Sequence, residues 1–518
     1  MKNFFFFLFL FSFIAQVSAQ IEINSSGFAG IGTANPQYRL DVAGDARITG
    51  NLYLGSSTSN FLGTTGNFPI AFKVNGVMAG FTGRSSNTNV SFGYGSLTDP
   101  LAGSYNTAIG FNALYSNTTG TRNTATGSRA LYSNTEGDYN TANGYNALYS
   151  NITGTHNTAT GYAALNFNTE GKYNTAYGLY ALYSNETGIQ NTANGSNTLY
   201  SNTTGGYNTA TGYGALYSNT EGSRNTATGR NALYSNMTGI YNTATGDRAL
   251  YSNTTGGYNT AAGLGALEAN TEGRSNIATG FYSLLSNTIG SYNTAIGYRA
   301  LHSNKEGNYN TAIGHYANVG KGNLTNATAI GYGAIVSDSN QVRIGNSSVT
   351  SIGGYVAWSS ISDGRAKKNI RADVPGLAFI KRLQPVTYNI DLDAIDALLK
   401  VDRMEEIDGE PLPQELVETN RKARADRERQ VQTGFVAQDV ETAAKSIGYD
   451  FSGVEADESG IYAMRYSEFV VPLVKAVQEL SEQNERLQEQ ADAKDSAIAL
   501  LLKQVNELSA LVNRLLGN

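Results

Sequence analysis

Asn106-Thr107-Ala108-Ile109-Gly110-Phe111-Asn112-Ala113-Leu114-Tyr115-Ser116-Asn117-Thr118-Thr119-Gly120-Thr121-Arg122 is one unit of a pattern that restarts at Asn123. The leading asparagine recurs at Asn89, Asn140, Asn157, Asn174, Asn191, Asn208, Asn225, Asn242, Asn259, Asn276, Asn293 and Asn310, always seventeen residues apart. A short fixed period means a solenoid, one coil per repeat, rather than a globular core. The third position is alanine in nearly every unit (Ala108, Ala125, Ala142), and the ninth is leucine (Leu114, Leu131, Leu148). The fourth varies freely: Ile109, Thr126, Asn143, Thr160, Tyr177. Neighbours on a strand point to opposite faces, so the Ala and Leu columns line a narrow interior and the variable positions face out. Glycine at positions five and fifteen suits tight corners. The asparagine columns are expected to stack into amide ladders from coil to coil.

The array covers 89–345, and at ~4.8 Å per coil it makes a rod about 70 Å long. Two units span the length of a helical repeat, but the chemistry is wrong for helices. Asn, Thr, Gly and Tyr dominate, and glycine returns every seventh or tenth residue. The fold class is therefore mainly β: a parallel β-roll or solenoid, followed by an α/β domain and a C-terminal coiled-coil helix.

The rest of the 518 residues frame this rod. Phe4 to Ala15 is almost wholly apolar and Val17-Ser18-Ala19 is a small-residue cleavage site. Residues 1–19 thus read as a signal peptide, cut before Gln20, and the protein as secreted or displayed at a cell surface. No later segment is apolar enough for a transmembrane anchor. The chain has no cysteine, which excludes disulfides and thiol chemistry. A net charge of −6 with mixed signs argues against a nucleic-acid partner. Residues 20–60 read as short strands broken by glycine turns, 61–88 as a less regular connector, and 346–361, with the lone Trp358, as a neck.

From 362 onward charge rises and helix formers dominate. The stretch 395–430 is charged and helix-prone, and reads as an insertion or a mobile arm. In 473–518, Leu473, Val477, Leu480, Asn484, Leu487, Ala491, Lys494, Ile498, Leu501, Val505, Leu508, Val512 and Leu515 step by four and three, the pattern of a coiled coil. Val or Ile at one seam position with Leu at the other leans to dimers, but the polar Asn484 and Lys494 blur that rule.

Two resemblances refine the picture. The N-x-A-x-G coils resemble the head of trimeric autotransporter adhesins, which implies a homotrimeric rod. That family's outer-membrane barrel is absent from this chain. The run Trp358-Ser359-Ser360-Ile361-Ser362-Asp363-Gly364-Arg365-Ala366-Lys367-Lys368-Asn369-Ile370, with Gly434-Phe435-Val436-Ala437-Gln438-Asp439-Val440 and Tyr466-Ser467-Glu468-Phe469 behind it, closely resembles the C-terminal intramolecular chaperone domain of phage endosialidases and tail fibres, serine-peptidase family number 74. The resemblance places an auto-processing chaperone at 362–472. It implies a serine–lysine dyad that acts once, with Ser362 attacking the carbonyl of Ile361 and Lys367 as general base. Burial or a neighbouring cation, Arg365 or Lys368, would lower the lysine's pKa. The three histidines, His156, His302 and His315, all lie in or beside the repeats, which independently favours a lysine base.

Other constellations carry less. The repeats lack the aspartates of a calcium-binding β-roll, so neither metal nor cofactor is expected. The Asn-x-Thr sequons are by-products of the repeat. The tyrosine column Tyr115, Tyr132, Tyr149 could stack on a glycan. The main expectation is a fibre or adhesin-like trimer, released from its chaperone by a cut between Ile361 and Ser362. The alternative is a structural or adhesive protein that is never cut and keeps its trimerisation domain.

Overall fold

The computed structural model describes residues 21–23, 29–31, 40–42, 71–74, 77–84, 87–99, 102–349, 351–355, 361–399, 406–407, 410–411, 414–457 and 460–517. The expected signal peptide and Trp358 lie outside them. The chain divides into two units, Met1–Gly66 and Asn67–Asn518. In the first, Ile21–Ile23 pairs antiparallel with Ala29–Ile31, which pairs parallel with Leu40–Val42.

The second unit is dominated by the solenoid. Each coil contributes one three-residue strand, and these stack parallel in register. Thr158-Ala159-Thr160 lies beside Thr175-Ala176-Tyr177 on one side and Thr141-Ala142-Asn143 on the other. The ladder opens at Asn87–Phe92, whose Val90 faces Thr107, and ends at Val342–Ile344, whose Val342 faces Thr328 across a shorter last coil. Residues 71–92, which read as a connector and the edge of the array, form three antiparallel strands that lead into the first coil.

Outside the strands the backbone still bonds coil to coil. In the unit from Asn106, the N–H groups of Thr107, Leu114 and Ser116 donate to Asn123, Ala130 and Tyr132 of the next coil at 2.8, 3.0 and 3.1 Å. Those of Gly110, Asn112 and Arg122 donate to Phe92, Tyr94 and Ser104 of the previous one at 2.8, 2.9 and 2.9 Å. A backbone saturated this way tolerates a very small core.

That core repeats as two alanines, one leucine and two asparagines per coil. Ala108, Ala113, Leu114 and Asn106 are fully buried and Asn117 nearly so. The Ala and Leu columns thus line the interior as their alternation demands. Both asparagine columns form ladders. Asn123 donates its backbone N–H to Asn106 Oδ1 at 2.9 Å, and Asn106 Nδ2 reaches the Gly120 carbonyl near the end of its own unit at 2.8 Å. Asn134 Nδ2 donates to Asn117 Oδ1 at 2.8 Å, and Asn151 Nδ2 to Asn134 Oδ1 at 2.7 Å. Where the second alanine becomes Thr198, its hydroxyl donates to the Gly212 carbonyl at 2.7 Å, so the core stays satisfied.

The corners are sharper than glycine alone provides. Leu114 (φ 52°), Asn112 (φ 53°) and Arg122 (φ 56°) all adopt the left-handed conformation, and so do their equivalents along the rod. For a leucine this costs roughly 1–2 kcal/mol; complete burial and the ladder bond from its N–H offset it. The glycine at position fifteen serves a different end. A Cβ on Gly120 would sit 2.5 Å from Asn117 Oδ1 and 2.6 Å from the Gly137 carbonyl, so close approach between coils requires glycine there.

The tyrosines outside stack along the rod. Tyr115–Tyr132 and Tyr132–Tyr149 ring centroids are 5.2 and 5.0 Å apart with near-parallel planes. A second column alternates tyrosine with cations and imidazole: Arg122 lies 5.3 and 5.1 Å from the Tyr105 and Tyr139 centroids, and His156 is sandwiched 4.7 and 4.8 Å from Tyr139 and Tyr173. The ring faces are covered by neighbours, so a sugar meets edges and hydroxyls rather than open π-faces.

Behind the rod comes a small α/β region. Val386–Asn389 pairs antiparallel with Val431–Gly434, and Val454–Ala456 with Tyr462–Met464. A core of Phe379, Val440, Ala443, Ala444, Phe451 and Phe469 binds helices 377–380 and 437–445 to the start of the last helix. That helix, Val470–Leu516, runs 47 residues. No helix among the described residues is long and apolar enough to cross a membrane.

Candidate functional site

Ser362 opens the α/β region. Directly after it, Gly364–Ala366 makes a single 3-10 turn, and Asp363 caps it by accepting the Arg365 N–H at 2.8 Å. The turn closes when the Lys367 N–H donates to the Gly364 carbonyl at 3.1 Å. Five residues wound this way bring the two ends of the loop together, and Lys367 Nζ donates to Ser362 Oγ at 2.9 Å. The two residues singled out for a nucleophile and its base are therefore in contact, held by local turn chemistry.

The surroundings are open. Every residue from Ile361 to Ile370 is exposed, Ile361 at 94%. Arg365 is committed to Asp363 through a 2.6 Å ion pair, whose hydrogen bonds hold the Asp363 carboxyl below the usual aspartate range. Its charge is largely offset before it reaches Lys367. A lysine base needs desolvation or an uncompensated cation, and none of the described residues covers Ser362 and Lys367.

The long helix is equally unpartnered. Its first two turns pack inward: Pro472 and Ala476 are buried, and Glu479 Oε2 accepts the Leu377 N–H at 2.8 Å. A Cβ on Gly376 would lie 2.7 Å from the Ala476 backbone nitrogen, so this crossing admits only glycine. Beyond it the heptad residues Leu480, Leu487, Ile498, Leu501, Val505, Leu508 and Leu515 are all exposed. An apolar seam of this length on a single helix is a surface made to be covered by other helices.

The segment 395–430 is where sequence reading found least. It holds two helices, Leu392–Leu399 and Gln414–Arg429, and they reach the last coil of the rod. Arg424 Nη1 lies 2.8 Å from Asp396 Oδ2 and donates to Ser347 Oγ at 2.7 Å. Ser347 Oγ in turn donates to Asp396 Oδ1 at 3.0 Å, and Arg427 Nη1 to the Val349 carbonyl at 2.7 Å. A cleft of about 650 Å³ lies between the two sides. Contacts between residues some seventy positions apart leave no spacing signal, which is why composition alone suggested a loose arm.

Residues 362–449 match a family model described as chaperone of endosialidase. No curated protein matches the chain. The match begins at Ser362, the nucleophile candidate, and takes in the 3-10 turn, the strand pair and helix 437–445. Residues 362–449, which follow a β-solenoid rod, are thus similar to the chaperone of endosialidase.

Proposed function

We propose that the protein is a secreted, fibre-like homotrimer whose C-terminal domain assembles the rod and then cuts itself off between Ile361 and Ser362. The contact of Lys367 Nζ with Ser362 Oγ at 2.9 Å, at the first residue of a chaperone domain, carries this reading. In the cut, neutral Lys367 takes the Oγ proton as Oγ attacks the Ile361 carbonyl carbon. The peptide C–N bond breaks, the Ser362 amine receives that proton, and Ile361 is held as an ester on Oγ. Water then hydrolyses the ester, leaving a carboxylate on Ile361 and Ser362 as a new N-terminus. The exposure of the dyad in one protomer ties this chemistry to assembly. Covering by neighbouring protomers supplies the desolvation that makes lysine a base. The chain thereby cuts only after it has assembled.

The test is intact mass and N-terminal sequencing of purified protein. A fragment running from Ser362 to Asn518 is expected, and Ser362→Ala or Lys367→Ala alone leaves the chain whole, since either half of such a unit is worth nearly as much as both. Both variants still trimerise. A fragment starting elsewhere, or unchanged cutting in Lys367→Ala, refutes the dyad. The second reading, a fibre that keeps its chaperone uncut, draws support from the same exposure of Lys367 in the lone protomer.

A further inference from the structure

The bonds that tie helices 392–399 and 414–429 to the end of the rod cross the proposed cut. Ser347 and Val349 lie on the rod side of Ile361, whereas Asp396, Arg424 and Arg427 lie on the chaperone side. The join is built rather than incidental. Arg424 and Asp396 form an ion pair whose side chains are only 16% and 7% exposed. Charges this deep are held in one geometry, because each is costly to bury without the other. Together they present a guanidinium donor and a carboxylate acceptor to the single Ser347 hydroxyl. Around this polar centre, Ile344 and Ile352 of the rod side face Ile395 and Leu399 of the helices across the cleft.

The place also matters. Val342–Ile344 is the last strand of the ladder, paired on one side with Thr328–Ile330. A solenoid end needs a cap, because its terminal coil has no neighbour to satisfy it. The Arg427 bond to the Val349 carbonyl gives the chain leaving that coil a partner.

We infer that the two helices are a non-covalent clamp, which keeps the chaperone seated on the last coil after the peptide bond is cut. Cleavage and release are then separate events, and the rod end stays capped until the clamp opens. The inference takes its setting from the proposed cut but does not depend on the dyad. A recognition sequence for a site-specific protease, inserted between Ile361 and Ser362 in the full-length Ser362→Ala chain, makes the cut at will.

After protease treatment, the two fragments of this protein are expected to co-elute on gel filtration and to separate only in denaturant. In the same background, Arg424→Ala with Arg427→Ala is expected to let the small fragment elute alone, with its helical circular dichroism retained. Ser347→Leu, which leaves the chaperone untouched, removes the shared hydroxyl and sets a larger apolar side chain against the Arg424–Asp396 pair, is expected to do the same. Separation of the fragments without any clamp substitution overturns the proposal. So does continued co-elution in the Ser347→Leu chain, whatever the arginine variant does. Failure of the wild-type chain to cut itself bears on the dyad alone.

Discussion

Asn208 tests whether buried amides, more than apolar contacts, hold the rod together. Its Nδ2 donates to Asn191 Oδ1 at 3.1 Å and to the Gly222 carbonyl at 2.8 Å. Its Oδ1 accepts the Asn225 backbone N–H at 3.0 Å and Asn225 Nδ2 at 3.3 Å. In Asn208→Ala, Asn191 Oδ1 keeps the Asn208 N–H and the Gly222 carbonyl keeps Asn219 Nδ2. The Asn225 N–H, fixed inside the rod, loses its acceptor. An orphaned buried donor costs about 1–3 kcal/mol and each of the three other lost bonds roughly 1 kcal/mol, so about 4–6 kcal/mol is expected. Hydrogen exchange read by mass spectrometry on peptides spanning 208–225 reports this locally, as suits an array in which coils touch only their neighbours. The lower figure corresponds to ~1000-fold faster exchange. Asn208→Asp keeps the acceptor but turns a carboxylate towards the Gly222 carbonyl. Burial raises its folded pKa, so the damage is mild below about pH 4 and grows as pH rises through that unfolded value. Thr209→Ala, on the exposed face of the adjoining strand, should stay within about 0.5 kcal/mol. Less than threefold faster exchange in Asn208→Ala would sink the idea that the ladder carries the load.

Three further outcomes follow from the same geometry. Deleting residues 140–156, one whole unit, should leave a folded, shorter rod by small-angle scattering, whereas deleting eight residues within it should unfold the array; equal tolerance of both contradicts the solenoid. Burial pushes the His302 and His315 imidazoles below the ordinary histidine range. A depressed histidine stabilises the fold fully above about pH 6.5 and progressively less as pH falls below it, so exchange in 300–318, corrected for its intrinsic rate, should quicken between pH 7.5 and 5.5 and lose that dependence in His302→Gln with His315→Gln. Finally, Leu480→Pro with Leu501→Pro breaks the long helix. Light scattering should then find monomers, and self-cleavage should stop if the dyad is completed between protomers.

The parts legible in the sequence are those whose physics is periodic or local. Ala108, Leu114, Asn106 and Asn117 return with every coil, so one chain carries its own alignment, and their burial follows from strand alternation. Ser362 and Lys367, singled out by the resemblance and not by their spacing, meet because a single 3-10 turn separates them. What escaped has no such signature. Leucine at φ near 52° is not a choice that propensity suggests; it exists because each coil's backbone bonds and the buried side chain both require it. The tyrosine column reads as a solvated ladder sooner than a sugar-stacking face, and a coil spacing near 5 Å is the spacing at which rings cover one another. The clamp at Ser347, Asp396, Arg424 and Arg427 depends on contacts between distant segments, which no local pattern encodes.

Near-identical coils leave such a rod with a register that its repeats alone do not set. A slip of one whole unit returns every Ala, Leu and Asn to an equivalent interior place, so the core cannot distinguish the right register from one displaced by seventeen residues. Only outward pairs that do not recur can, such as Arg230 with Asp247, and an exposed, solvent-screened ion pair contributes little. The ends break the degeneracy. At the C-terminal end the last coil is shorter, and the chain leaving it is fixed by directed bonds to Arg424 and Arg427. A ladder nucleated there has one register, and each added coil inherits it because contacts are nearest-neighbour. If neighbouring chains must also align coil for coil, a long helix with an exposed heptad seam just beyond that end can set their stagger before the repeats close. The non-repetitive C-terminal domain thus supplies the one piece of information that the repeats, by their regularity, lack.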